Sequence, residues 1–490
     1  MAVTFVGTPL FLAALGQETY GLYLAATSWV GYLALFRLGF PQAAGNEMAA
    51  SVARSQPVRV ASTLETSVVL AACAALAGAL LGALLIATGV ISPTLFRGSD
   101  EVRRLTLPLI AIGGLGYLIA LPLEQFNAGL RALRLVHIEQ FAMTAARLFG
   151  LVGGLAALAL GFGAIGFGIT QASVTVIAGA LCAFFVLRAL PREVRARAGF
   201  DAGVARQILR PGMYFVLLAL SGALYWGTAN IVISMFESAA AVTPYAVSFR
   251  LITIALNWLA MGTNALTPTV TSLWASGERE RLERVLLEMV KLGLAGMVPL
   301  GLGLGFFGRD FVQLWAGAEA LVSPAIMWIF VATLLTAAFS SGFETFLVAT
   351  SRHERYARLA LLQGVLNLGL CLLLVHPLGS LGVALATLAS HACVTAWWVP
   401  WRTTRTLALS WRRIGRETLL PLALPTLAAV GAALLCARLL PIAGWGSWLL
   451  SAALPTAVFA LAYGALGLNR WERDYLRRAL TGMRRSWGWS

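Results

Sequence analysis

The chain has 490 residues, 59% of them hydrophobic and 12% charged, with a mean hydropathy of +0.81. Soluble domains carry about 25% charged residues, so a water-soluble fold this apolar lacks polar surface, and no stretch is left over for a soluble enzymatic domain. The net charge of +15 does not mark a nucleic-acid-binding face, because the arginines sit in short loops between apolar runs, the distribution of a membrane topology.

Fourteen apolar spans are predicted in chain order, at 1–15, 21–40, 62–90, 105–127, 138–161, 165–188, 211–236, 244–265, 287–308, 325–349, 357–376, 381–400, 418–440 and 447–469. A bilayer crossing needs about 20 such residues. The expected fold class is an all-α polytopic membrane protein. No basic n-region or cleavage site precedes the first span, so no cleavable signal peptide is read. Residues 1–15 are short for a span starting in the cytoplasm, so Met1 is read as a truncated or misassigned start. Cys73, Cys182, Cys371, Cys393 and Cys436 lie in apolar runs without a CxxC pair. They read as small packing residues, neither disulfides nor metal ligands.

Loop charges orient the bundle. Alternate loops carry Arg54 and Arg59; Arg131 and Arg134; Arg192, Arg195, Arg197, Arg206 and Arg210. The series continues with Arg279, Arg281, Arg284 and Lys291; Arg352, Arg355 and Arg358; Arg402, Arg405, Arg412, Arg413 and Arg416; and the tail from Arg470. The opposite loops hold Arg97, Arg103, Arg104, Arg309 and Arg438. This bias puts the arginine-rich side and both termini in the cytoplasm.

The chain also repeats itself. Leu123-Glu124-Gln125-Phe126 runs into Arg131 as Phe343-Glu344-Thr345-Phe346 runs into Arg352, and Gly163-Ala164-Ile165-Gly166 matches Gly379-Ser380-Leu381-Gly382. Tyr20-Gly21 through Pro41 resembles Tyr245-Ala246 through Pro268. The repeat unit is six helices. Two pseudo-symmetric lobes of like orientation are therefore expected, an architecture of transporters. The predicted organisation is an N-terminal lobe at 1–190, a basic linker at 191–210 and a C-terminal lobe at 211–400. A basic loop at 401–417, two further helices at 418–469 and a basic tail at 470–490 complete it.

Two segments carry a family resemblance. Leu15-Gly16-Gln17-Glu18-Thr19-Tyr20-Gly21-Leu22-Tyr23 resembles the loop joining the first two helices of Wzx-type polysaccharide flippases, members of the multidrug/oligosaccharidyl-lipid/polysaccharide (MOP) exporter superfamily. His376-Pro377-Leu378-Gly379-Ser380-Leu381-Gly382 resembles the superfamily's turn between helices eleven and twelve. The resemblance implies a two-lobe bundle in the cell inner membrane that moves lipid-linked glycans to the outer leaflet. Partners implied with it are the lipid-linked glycan, membrane lipids, a polysaccharide polymerase and a chain-length regulator, and no nucleic acid. Members often carry an acidic residue early in the C-terminal lobe, where this chain reads Gly227-Thr228-Ala229-Asn230. Ion coupling through a carboxylate at that position is thereby put in doubt.

Ionisable residues inside spans cost about 2.5–3.5 kcal/mol on insertion scales. Arg147 and Arg250 lie well inside predicted helices. Arg250, Thr253, Asn257 and Asn264 fall in a narrow arc at about 100° per residue, either lining a central cavity or packed against neighbouring helices. Gln140, Thr144 and Arg147 repeat the spacing in helix five, and Ser221, Tyr225 and Thr228 in helix seven, with Asn230 nearby. Arg147 corresponds to Asn367 in the repeat register, which suits either a shared cavity or, for Asn367, a bond to a neighbouring helix. Glu124, Asn127 and Glu344 stand near cytoplasmic helix ends, as an inward gate paired with Arg131 and Arg352 or as ordinary interfacial charges. His391 is read as a proton relay or a packing histidine.

Guanidinium groups grip phosphate oxygens in pairs, which suits the diphosphate of the implied polyprenyl carrier. Arg147 and Arg250 are the candidates for it. Tyr225, Asn230, Thr253, Asn257 and Asn264 are candidates for the glycan, and Glu124, Asn127, Glu344 and Asn367 for gating or coupling. No cofactor or metal is expected, since Asp100, Asp201, Asp310 and Asp474 are isolated and the sole lysine, Lys291, follows no glycine-rich loop. Two other classes stay open. A multidrug/cation antiporter of the same superfamily would want buried carboxylates in its spans. A membrane glycosyltransferase or polymerase would want acidic metal ligands or a large catalytic loop.

Overall fold

The computed structural model describes residues 2–210, 212–350, 353–469 and 472–473. Met1, Arg352 and the tail arginines Arg470, Arg477, Arg478, Arg484 and Arg485 lie outside the described residues. No strand occurs among the described residues, and 12 helices are long and apolar enough to cross a membrane. These match the last twelve predicted spans.

The first two predicted spans are arranged differently. Helix α1 (Ala2–Gly31) breaks at Gly16, whose φ of 76° and ψ of 166° suit a residue without Cβ. The chain then tightens into a 3-10 segment, Tyr32–Arg37. It reverses through Leu38 and Gly39, both at positive φ, into α2 (Phe40–Ala53), with Pro41 in its first turn. The predicted span at 21–40 is thus divided, because Leu38-Gly39-Phe40-Pro41 ends one helix and starts the next.

The remaining helices follow the apolar runs. They are α3 (Pro57–Ala87), α4 (Asp100–Ala132), α5 (Val136–Ala159) and α6 (Gly163–Ala189). Short α7 (Arg192–Ala196) and α8 (Ala202–Leu209) precede α9 (Gly212–Gly222) and α10 (Thr228–Phe236), which are joined through a π turn, Ala223–Gly227. Then come α11 (Ala239–Ser276), α12 (Arg279–Ala316), α13 (Pro324–Ala349), α14 (His353–Leu378) and α15 (Ser380–Ser390). A second π turn, His391–Thr395, leads to α16 (Ala396–Leu407) and α17 (Trp411–Ile414). A third, Gly415–Leu419, leads to α18 (Leu420–Leu439), and α19 (Trp445–Ala462) follows.

Helices α11 and α12 have 38 residues each, about 57 Å at 1.5 Å per residue. The predicted span at 287–308 stops where charges begin, and that at 244–265 stops where the more polar stretch from Thr267 begins. Charged residues continue a helix into water when they pair along it. Arg284 meets Glu280 at 3.5 Å in the first turns of α12.

The chain forms two compact units: residues 1–248, 315–321 and 354–390, and residues 249–314, 322–353 and 391–490. Lipid tails are as apolar as leucine, so close packing and interhelical hydrogen bonds hold such units together. In the first unit α6 meets α4 through small residues. A Cβ at Gly116 would stand 2.8 Å from that of Ala172, and one at Gly179 2.6 Å from that of Leu123. Phe40, Met48, Leu64, Leu130, Val186 and Ile208 share one buried core. Ile208 brings α8 into it, so the basic linker is a folded part of this unit. Asp201 caps α8, accepting from Gly203 N at 2.7 Å and Val204 N at 3.1 Å.

Both segments of the family resemblance converge on the turn between α10 and α11. Thr243 Oγ1 donates to Gln17 O at 2.6 Å and Gln17 Nε2 donates to Ala240 O at 3.2 Å. A Cβ at Gly21 would collide with the Ala239 carbonyl oxygen. From the other segment, Ser380 N donates to Glu237 Oε2 at 2.8 Å, beside Gly379 at φ 56°. Arg97 ties in the loop before α4, its Nη1 donating to Phe236 O at 2.7 Å.

In the second unit α12 packs on α13 through Gly342, where a Cβ would stand 2.9 Å from Val290 Cγ2. The last two helices join at Phe307, Ala433 and Cys436, and Trp448 Nε1 donates to Phe307 O at 2.9 Å.

Candidate functional site

The polar stripe is one face of α11. Ile252, Ala255, Leu259 and Thr263 are buried on the opposite face. Arg250 and Thr253 are half-buried, whereas Asn257 and Asn264 are exposed. Packing against neighbouring helices therefore does not account for the two asparagines. Thr253 Oγ1 donates to Arg250 O at 2.8 Å and Asn257 Nδ2 donates to Thr253 O at 2.7 Å. These back-bonds use donors only, so the amide oxygen of Asn257 keeps its accepting capacity.

Helix α5 presents a similar sector in the first unit. Its buried face is Glu139, Ala142, Ala146, Gly150 and Gly154. Gln140, Thr144 and Arg147 are exposed on one flank, and Thr144 Oγ1 donates to Gln140 O at 2.8 Å. Exposed Phe141, Leu148 and Val152 lie about 100° further round the helix. Arg147 is thus set apart from the apolar flank of its own helix.

The repeat partner of Arg147 sits in a different environment. Asn367 is fully buried. Its Nδ2 donates to Leu224 O at 3.2 Å and Tyr225 O at 3.3 Å, and its Oδ1 accepts from Ser390 Oγ at 3.4 Å. Leu224 and Tyr225 belong to the π turn at 223–227, where the helix's own bonding pattern shifts by one residue. Asn367 clamps that turn. Tyr225 is buried and donates from its hydroxyl to Thr387 O at 3.4 Å. Asn230 is half-buried and donates to Ser28 Oγ at 3.0 Å. One turn away Tyr32 and Thr228 share a hydroxyl bond at 3.0 Å.

The acidic candidates divide in the same way. Glu124 meets Arg37 at 2.8 Å, while Arg131, the partner read from sequence, reaches the buried Glu139 at 3.6 Å. Asn127, one turn beyond Glu124, is buried. In the second unit Glu344 accepts from Ser340 Oγ at 2.6 Å, and that hydroxyl lies 3.4 Å from His391 Nε2. His391 is therefore part of a carboxyl–hydroxyl–imidazole series. The sole lysine is buried, with Lys291 Nζ 2.7 Å from Glu472 Oε2.

Sequence reasoning missed Arg37, Ser28, Tyr32 and Ser340. Arg37, at a helix end just before Leu38-Gly39, enters the sequence reading only as part of the topological charge bias. Ser340 stands one turn before Glu344, a spacing at which side chains meet.

Residues 1–274 match the family described as Polysaccharide biosynthesis protein. Over 191 residues the chain is 22% identical to the Probable low-salt glycan biosynthesis flippase Agl15 of Haloferax volcanii, covering 39% of this chain and 40% of that protein. The match thus spans less than half of this relative. Among solved structures, the lipid II flippase MurJ in an inward closed conformation superposes with a TM-score of 0.69 at 13% identity, covering 97% of this chain and 99% of that one. An inward-facing MATE family multidrug resistance transporter of the MOP superfamily gives 0.68 at 15%, covering 84% and 96%. The molecule is a multi-pass helical membrane protein with the fold of the MOP superfamily. Within that class it belongs to the polysaccharide biosynthesis protein family.

Proposed function

We propose that the protein flips a polyprenyl-diphosphate-linked oligosaccharide across the cytoplasmic membrane for surface polysaccharide biosynthesis, by alternating access and without catalysis. The observation that carries this reading is the open polar stripe of α11, headed by Arg250 and continued by exposed Asn257 and Asn264. Its arginine suits phosphate oxygens, and its amides suit sugar hydroxyls. Arg147, on the polar flank of α5, is the second anion candidate. Family membership and the likeness to a glycan biosynthesis flippase support the same cargo class.

The reading includes cytoplasmic termini, two six-helix lobes with two added C-terminal helices, and action beside a polymerase and a chain-length regulator. An inside-negative potential, worth about 2.3 kcal/mol per charge per 100 mV, favours outward movement of an anion. Cation antiport is the second reading, favoured by the Glu344–Ser340–His391 series.

The test is a reconstituted flipping assay with a fluorescent polyprenyl-diphosphate oligosaccharide. Protein-dependent movement is expected, falling about tenfold in Arg147→Ala and Arg250→Ala, the loss of one charge-assisted bond. Unchanged movement at equal abundance removes those arginines from the site. Extrusion of a cationic dye without glycan movement assigns the chain to antiport.

A further inference from the structure

A groove in the second unit has no part in the reading above. One wall is α12, where Arg284, Glu288 and Lys291 lead on to Leu294 and Val298 at helical spacing. The other runs from Arg416 and Glu417 in the π turn at 415–419 into Leu422 and Leu427 of α18. The arginine-rich end opens into a cavity of about 500 Å³. Next to it along the two helices lies an open apolar depression of about 390 Å³ whose lining is leucine, valine and alanine apart from Thr426. The Thr426 hydroxyl is turned away onto Leu422 O at 2.7 Å. A charged cavity beside an open apolar groove is the profile of a lipid, headgroup in the first and acyl chain along the second. Both volumes fall in the range of about 300–1,000 Å³ typical of ligand sites.

The mouth also selects a headgroup. Lys291 is neutralised by Glu472 at 2.7 Å. Glu417 is held by Arg413 at 3.0 Å, and Arg413 also holds Glu283 at 2.7 Å. Arg284 leans on Glu280 at 3.5 Å. Among the described residues, Arg416 makes no ion pair, and Glu288 makes none within 4 Å, with Arg284 and Lys291 acting on it from further off. One guanidinium and one carboxylate therefore remain to face an occupant. Clusters made only of Lys and Arg recruit anionic lipids; this mouth is balanced instead. An anionic headgroup would satisfy Arg416 and be repelled by Glu288.

We propose that this groove holds a glycerophospholipid with an ethanolamine headgroup, its phosphate on Arg416, its ammonium on Glu288 and one acyl chain between α12 and α18. The site does not depend on the cargo, and its test does not use transport.

The full-length protein is reconstituted in vesicles of equal parts phosphatidylethanolamine and phosphatidylglycerol, extracted in mild detergent and examined for retained lipid by native mass spectrometry. One phosphatidylethanolamine is expected to survive delipidation in roughly tenfold preference over phosphatidylglycerol, the scale of one charge-assisted bond. Glu288→Gln should erase that preference while keeping a lipid bound. Arg416→Gln should lower retention of both headgroups. Leu427→Trp, at an exposed position of the apolar groove, should lower both without altering the preference. Retention in bulk proportions, a preference for phosphatidylglycerol, or a preference unmoved by Glu288→Gln would overturn the proposal. Circular dichroism of Glu288→Gln and Leu427→Trp, which alter different ends of the groove, separates lost lipid from lost fold.

Discussion

Two polar regions of the molecule, both read from helical spacing, have opposite characters. Around Asn367 the polar atoms close on one another: the amide clamps two carbonyls of the π turn and is itself held by Ser390. Along α11 the polar atoms open outward, and among the described residues Thr253 and Asn257 bond only to their own helix. A polar group within a membrane must be satisfied somewhere. The difference lies in whether the protein supplies every partner or leaves capacity for a ligand. Spacing alone does not distinguish the two cases, because both put polar residues on one side of a helix.

Substitution at the closed node has the largest expected effect. Asn367→Leu leaves the Leu224 and Tyr225 carbonyls without their donor in a fully buried site. An unsatisfied buried group costs about 1–3 kcal/mol, and a loss of about 2–3 kcal/mol is expected here. Thermal unfolding in detergent should fall and membrane abundance with it, while flipping per folded molecule stays near wild type. A variant with normal stability and lost flipping would break the comparison, making Asn367 part of the transport path.

The open stripe should give the converse. Asn257 is exposed and its one intramolecular bond goes to its own helix, so Asn257→Ala is expected to change stability by less than about 0.5 kcal/mol, as surface substitutions do. Flipping of the glycan carrier should fall about fivefold, the loss of one neutral hydrogen bond of about 1 kcal/mol. Destabilisation without a transport defect would reclassify the stripe as structural.

Much of the fold was legible in the sequence. Twelve spans followed directly from apolar runs longer than a bilayer requires. The first two did not, because Gly16 and the Leu38–Gly39 reversal govern that stretch, and hydropathy does not register φ. Helix ends were misjudged where charges pair along the helix, as at Arg279–Arg284. The residues of the polar face on α11 were legible as a set. The fates of Tyr225 and Asn367 were not, since both depend on a π turn that no residue pattern announces. Pairing was the least legible: Glu124 had Arg131 close in sequence, yet Arg37 reaches it from a different segment.

That pairing gives the smallest and most discriminating expectation. The side chains of Arg37 and Glu124 are 41% and 18% exposed, so the ion pair is partly solvated at a helix end. Exposed pairs contribute about 0.2–1 kcal/mol. A double-mutant cycle on Arg37→Gln and Glu124→Gln, read by thermal unfolding, should give a coupling energy in that range, with single substitutions nearly neutral for abundance. If the pair only anchors the end of the 3-10 segment, flipping falls no further than stability does. A gate behaves differently: either single substitution then changes the rate of flipping by several-fold at unchanged stability, and the double substitution restores part of it. The same cycle on Arg131 and Glu139, whose carboxylate is buried while its arginine is half exposed, supplies the internal control. Those partners lie across the Arg134 turn between α4 and α5, and their coupling should appear in stability alone.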